Sequence, residues 1–302
     1  MNRFNKSQLS LNYNDIDFFN KEFVMWRRFI HFKNNVFYYN SNTKKYQLEK
    51  PEYDFVEYKV NKNGFRCDNF DANLKTNILF NGCSETMGEG GPLETSWAYN
   101  LNSQSDCGGY YNLSIPGSGY DTIIDNTIRY FKKINIPKNL FILFPNIDRK
   151  ILYGPKVFRD ENDQHIKYHE DDIMEYFDWP FQSIEYWDFI PKKYPSDFSI
   201  NDLEYKTLFA YRVKQIEMIE FLCNSLNINF RWSTYCKLDQ ENFNKINTFQ
   251  NHLNFDHDKL EQYIFKYEKN NPTIDYVVRK ADGHNGLAWH NYVANIFQEY
   301  LV

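Results

Sequence analysis

The chain lacks any apolar run long enough to cross a bilayer. A span needs roughly 20 such residues, and the longest runs here, such as Leu140 to Pro145, are strand-sized. Charge of one sign is also missing. Thirty-five basic residues stand against 40 acidic ones, for a net charge of −5. With no long basic run, the electrostatic footprint of a nucleic-acid binder is absent. The first residues, MNRFNKSQLSLNYND, have no apolar centre and do not read as a secretory leader. The five cysteines, Cys67, Cys83, Cys107, Cys223 and Cys236, match neither a CxxC pair nor a disulfide framework. Without a leader, reduced thiols in the cytoplasm are the expectation; a virion protein made there would read the same way. No internal repeat or low-complexity tract occurs.

Aromatic residues, by contrast, are plentiful: 27 Phe and 24 Tyr contribute to an aromatic share of 19 %. A ring-lined binding surface and an AT-rich genome both account for this. Abundant Asn, Lys and Ile favour the second, so aromatic content alone identifies no ligand. The 302 residues suffice for one large α/β domain, or two smaller ones, with a buried core.

From residue 56 the patterning sharpens. Val56-Glu57-Tyr58-Lys59-Val60 alternates as a half-buried strand does and runs into the turn Asn61-Lys62-Asn63-Gly64. Strands are expected at 77–81, 110–115, 140–144 and 228–232, with helices at 94–103, 121–133, 203–226 and 287–301. In the long helix Leu208, Tyr211, Val213, Ile216, Ile219 and Leu222 fall mostly along one face. This alternation predicts a mostly parallel sheet covered on both faces, with chemistry at the carboxyl ends of strands. Residues 1–55, including a short helix or strand at Phe23–Phe32, form an N-terminal extension. Residues 56–302 form the main domain, and about 150–202, charged and aromatic, break the rhythm as an insertion.

The stretch ILFNGCSETMGEGG, residues 78–91, brings an apolar strand to a glycine and then presents Cys83, Ser84 and Thr86. A hydroxyl nucleophile there needs a base, a group to orient the base and a site for negative charge. Of seven histidines, His284 and His290 lie in the setting KADGHNGLAWH, with Asp282 two residues before His284 in a Gly-containing turn ahead of the last helix.

Taken together, these segments resemble the SGNH/GDSL hydrolases. Asn81 to Gly90 is similar to their first block, Asn112-Leu113-Ser114-Ile115-Pro116-Gly117 to their second, and Asp282 to His290 to their last; Phe144-Pro145-Asn146 sits where the third block places its Asn. Asn61 to Arg66 resembles an N-x-x-G-F-R segment that precedes the first block in bacterial members. The resemblance covers roughly 56–150 and 203–302. It implies a flavodoxin-like three-layer α/β/α sandwich and ester hydrolysis through an acyl-enzyme. Ser84 would be the nucleophile, His284 the base and Asp282 its orienting acid. The oxyanion hole would comprise the Ser84 and Gly117 N–H groups and the Asn146 amide. The family spacing is D-x-x-H, whereas this chain has D-x-H, which leaves a backbone carbonyl as orienter, or His290 as base, open. Cys83 stands where many members have Asp and reads as buried packing. No cofactor or metal is implied, and the partner is a small-molecule or glycan ester, with a carbohydrate O-acetyl ester favoured. The alternative is an inactive binding or structural module on the same fold, for example virion-associated.

His165-x-x-x-His169 has a metal-ligand spacing but reads better as polar surface. His252 and His257, among Asn and Asp, read as solvated. The aromatic run Tyr176–Phe189 reads as a lid or as the cover of the insertion. Oligomeric state is not legible.

Overall fold

The structure, a computed structural model, describes residues 36–40, 45–47, 56–72, 76–105, 108–147, 158–159, 165–166, 202–246, 248–270 and 284–302. The expected element at 23–32, the 176–189 run, His169 and Asp282 lie outside these residues.

Three strands come first: β1 (Val36–Asn40), β2 (Lys45–Gln47) and β3 (Val56–Lys59) form an antiparallel sheet in the order β2-β1-β3. Then follow β4 (Ile78–Gly82), α1 (Ser84–Met87), a 3₁₀ turn at Leu93–Thr95, α2 (Trp97–Ser103), β5 (Tyr111–Asn112), α3 (Tyr120–Lys133) and β6 (Asn139–Phe144). A two-stranded pair, β7 (Phe158–Arg159) and β8 (His165–Ile166), precedes α4 (Asp202–Ser225), β9 (Asn229–Thr234), α5 (Lys237–Phe243), α6 (His257–Asn270) and α7 (Leu287–Gln298). His165 therefore lies on a strand, and the helical spacing to His169 does not apply at that position.

The central sheet is all parallel, in the order β5-β4-β6-β9. The first of these strands to form in the chain is interior; the chain then pairs on one side of it and crosses over to the other. Such a reversal opens a crevice at the carboxyl ends, because the loops after the neighbouring strands β4 and β6 leave in opposite directions, one toward β5 and the other toward β9. One parallel bridge, Trp232 to His252, extends the edge beyond β9.

Side-chain alternation divides the core into two layers. Leu79, Leu140, Ile142, Phe144, Phe230 and Trp232 pack with Ile123 and Ile124 of α3, Ile216, Ile219 and Cys223 of α4, and Phe243 of α5. Ile78, Phe80, Phe141 and Leu143 pack on the opposite face with Trp97, Ala98 and Leu101 of α2, Leu260 of α6, and Val293, Ala294 and Phe297 of α7. Continuous apolar strands are thus explained by helices on both faces. Each fully buried aliphatic or phenyl side chain contributes about 1.5–3 kcal/mol.

Local chemistry moves some boundaries. The helix expected from residue 94 splits at Ser96, whose hydroxyl accepts from Tyr99 N–H at 3.3 Å and caps α2. The strand expected over 110–115 is regular only at Tyr111–Asn112. In α4 the inward stripe is Arg212, Ile216, Ile219, Cys223, while Tyr211 is half exposed. The steps of four, three and four follow the helical period, and a buried cation takes the place expected for an apolar ring.

His252 is also not solvated. Its ring lies 4.3 Å from that of Trp232, and burial lowers its pKa from the usual 6.5 to about 4. His257 is half-buried and shifted down as well, chiefly by desolvation, then by Lys237. A depressed imidazole means that below pH 6.5 the unfolded chain binds the proton that the folded one refuses. Stability then rises with pH between about 4 and 6.5. For His252 the slope approaches roughly 1 kcal/mol per pH unit. Urea midpoints for His252→Gln and the wild type should therefore differ more at pH 7 than at pH 5; a gap independent of pH would contradict this.

Candidate functional site

Ser84 stands at the carboxyl end of β4, the interior strand at the crossover. Gly82 permits this turn: a Cβ there would lie 2.2 Å from Thr86 Oγ1 and 2.8 Å from the Leu143 carbonyl. Cys83 is the N-cap residue and Ser84 begins α1, so the Ser84 N–H has no intrahelical acceptor. The short helix closes at Gly88, in the left-handed region at φ +78°, where Gly88 and Glu89 N–H both donate to the Ser84 carbonyl.

Segments outside the turn hold it. The Arg66 guanidinium, buried, donates to the carbonyls of Gly88 at 2.8 Å and Gly91 at 3.0 Å, and lies 3.9 Å from the Tyr58 ring centroid. Tyr58 Oη accepts from Gly90 N–H at 2.7 Å. Asn112 Nδ2 donates to the Thr86 carbonyl at 3.0 Å, and its Oδ1 accepts from Ser114 N–H at 2.9 Å. Arg66 and Asn112 therefore brace carbonyls in and just after a helix too short to satisfy its own.

Gly117 and Asn146 lie on the loops after β5 and β6, the strands on either side of β4. Gly117 takes φ +80°, a conformation favouring glycine; Asn146 is half-buried between Pro145 and Ile147. Arg212 ties the two loops together. Its Nε donates to the Ile147 carbonyl at 3.2 Å, and its Nη1 contacts Asp121 Oδ2 at 2.8 Å, in the first turn of α3 just after Gly117-Ser118-Gly119. Asp239 accepts from Ile147 N–H at 3.0 Å.

The fourth segment arrives from 200 residues away. Asn285 donates to Glu85 Oε1 from its backbone N–H at 3.2 Å and from Nδ2 at 3.0 Å. His284 Nε2 lies 3.5 Å from Oε2 of the buried Glu89. His290, on α7, is fully buried: Nδ1 accepts from Trp97 N–H at 3.3 Å, and Nε2 lies 3.9 Å from Glu85 Oε2. Ser84 is 6 % exposed, and its Oγ contacts Cys83 Sγ at 3.9 Å; among the described residues no imidazole nitrogen lies within hydrogen-bond distance of it. The loop carrying His284 is thus on the Ser84 turn through Glu85 and Glu89, while Asp282 lies outside the described residues.

Glu85 and Glu89 escaped the sequence reading. Their signal was their place in SETMGE: two acids within five residues of the candidate nucleophile. Burial gives them meaning, since a carboxylate removed from water needs a partner.

Cys83 is buried, with Tyr235 Oη 3.8 Å from its sulfur. Cys236, beyond the end of β9, has its thiol pushed up to about 11, mainly by burial, which keeps it protonated and a poor nucleophile at neutral pH. Among the described residues no group of three or more His, Cys, Asp or Glu side chains is placed to hold a metal ion. No described helix is long and apolar enough to cross a membrane. Compared with protein-family models and with the sequences of curated proteins, the chain matches none.

Proposed function

We propose that the chain is an SGNH-type serine esterase with Ser84 as nucleophile and His284 as base. One observation carries this reading: the 284–286 segment docks on the Ser84 turn, at the carboxyl end of the strand where the sheet reverses. The order second-first-third-fourth among the four parallel strands supports a flavodoxin-like reading, and the crevice at the switch point is where open parallel sheets bind ligands.

In the reaction, His284 takes the hydroxyl proton as Ser84 Oγ attacks the ester carbonyl carbon. The C=O electrons move to oxygen, which the N–H groups of Ser84 and Gly117 and the Asn146 amide receive. Each donor lowers the barrier by about 3–4 kcal/mol. The tetrahedral adduct expels the alcohol, protonated by the imidazolium, and leaves an acyl-enzyme. Water, deprotonated by the same imidazole, releases the acid and restores the serine. In the sequence, Asp282 is the matching orienter. The favoured substrate is a carbohydrate O-acetyl ester, since the aromatic insertion follows the Asn146 strand end and rings suit sugars. A cytoplasmic or virion-associated setting fits the sequence.

One observation favours a second reading, an inactive binding or structural module: the Ser84 hydroxyl is largely buried and turned to Cys83. Because catalytic hydrogen bonds in unliganded sites are often long and tighten with substrate, the enzyme reading is preferred. A fluorophosphonate separates the two. Covalent labelling mapped by peptide mass to Ser84 is expected; a chain left unmodified across pH 6–9 would establish the module.

A further inference from the structure

We propose that Glu89, on the nucleophile's own turn, is the carboxylate that orients His284 and holds its positive charge. This rests on the esterase reading above. Glu89 Oε2 is 3.5 Å from His284 Nε2, and Glu89 is 2 % exposed. A carboxylate this buried and this close to an imidazole favours the ring's protonated form and selects its tautomer.

The geometry of the turn places it there. After Gly88 closes α1, Glu89 N–H still donates to the Ser84 carbonyl at 2.9 Å, so nucleophile and acid share one hydrogen-bonded loop. Arg66 grips the carbonyls of Gly88 and Gly91 on either side of Glu89 in the chain, fixing its backbone. On the other side Glu85 clamps Asn285 through two hydrogen bonds and fixes the residue next to His284. The remaining titratable group facing this cluster from α7 is His290, directed at Glu85 and not at Glu89.

The contact also assigns the ring atoms. With Nε2–H donated to Glu89, Nδ1 is the basic atom. It takes the Ser84 hydroxyl proton as the Oγ–carbon bond forms and returns it to the leaving alcohol oxygen as the ester C–O bond breaks. Glu89 keeps its charge throughout and balances the imidazolium. Acid and nucleophile would then come from one loop and the base from another, which removes the need for the short Asp282–His284 spacing to close a triad.

The test compares Glu89→Gln with Asp282→Asn in the full chain. Nitrogen-15 spectra of labelled histidines, recorded without substrate, report the tautomer and titration of His284. In wild type, neutral His284 should carry its proton on Nε2. In Glu89→Gln its pKa should fall by about one unit or more, while Asp282→Asn changes it less; the acid limb of kcat/KM should follow. The kcat of Glu89→Gln should drop by about 10²–10⁴-fold, with Glu89→Asp recovering part of it. A fall in the His284 pKa smaller in Glu89→Gln than in Asp282→Asn, or a proton on Nδ1 in neutral wild type, overturns the assignment. If Glu89→Gln does not fold, the wild-type tautomer and the titration of Glu89→Asp decide. Because the spectra need no turnover, they remain decisive even where fluorophosphonate fails and the esterase reading falls.

Discussion

Replacing either Ser84 or His284 with alanine is expected to lower kcat/KM for p-nitrophenyl acetate by about 10⁴–10⁶-fold, because nucleophile and base act as a unit and neither has a substitute. His290→Ala should behave differently. That ring is fully buried at the junction of α2 and α7, where Nδ1 accepts the Trp97 N–H and Nε2 faces Glu85. Its removal leaves a buried donor unpaired and a void, at a cost of about 1–3 kcal/mol in stability, yet the His284 loop keeps its own hold on Glu85 through Asn285. Activity of His290→Ala, measured well below its melting temperature, should therefore stay within about tenfold of wild type, a loss of about 1.4 kcal/mol in barrier. The reverse pattern, with His284→Ala active and His290→Ala dead, would transfer the base to His290 and remove the mechanism proposed above.

Arg212→Met is expected to destabilise the fold by about 3 kcal/mol, the lower end for breaking a buried ion pair, because Asp121 Oδ1 keeps hydrogen bonds from Gln215 Nε2 at 2.7 Å and Tyr211 Oη at 3.2 Å. Methionine fills much of the same space but donates nothing. Asp121, largely buried, loses the Nη1 contact at 2.8 Å, and the Ile147 carbonyl loses Nε at 3.2 Å. The same side chain joins the start of α3, behind Gly117, to the loop carrying Asn146, so the variant should also lose activity at temperatures where it is still folded. Adding Asp121→Asn should restore part of the stability, since the charge left without its guanidinium is then gone, but none of the activity. Urea midpoints and kcat/KM together check this; a stability loss under about 1 kcal/mol would mean that the pair is compensated by solvent.

Much of the sheet was legible from residues alone. Ile78 to Phe80 and Leu140 to Phe144 are apolar on both faces because helices cover both, and such runs show in any sequence; in the edge strand β9 Phe230 and Trp232 share one face and Arg231 takes the other. The turn after β4 was legible as well, because Gly82 is forced by the approach of Thr86 and the Leu143 carbonyl. Arg212 was not. Its place inside depends on Asp121, 91 residues earlier, and on a carbonyl 65 residues earlier, and a charge reads as surface until such partners are known. His252 misled for the same reason: its polar neighbours in the chain are not its neighbours in space, where Trp232 and Phe243 surround it.

Periodicity was enough to set out an α/β chain with a parallel sheet, because that signal is local and repeats with the geometry of strand and helix, while the choice of Ser84 and His284 as nucleophile and base rested on the resemblance of their segments to a known family. That Glu89 lies within 3.5 Å of the His284 ring, and that Arg66 and Arg212 are inside the protein, came from the packed chain alone. Burial and partnership link residues up to 200 positions apart, and the free energy of a buried charge is set by what surrounds it in space.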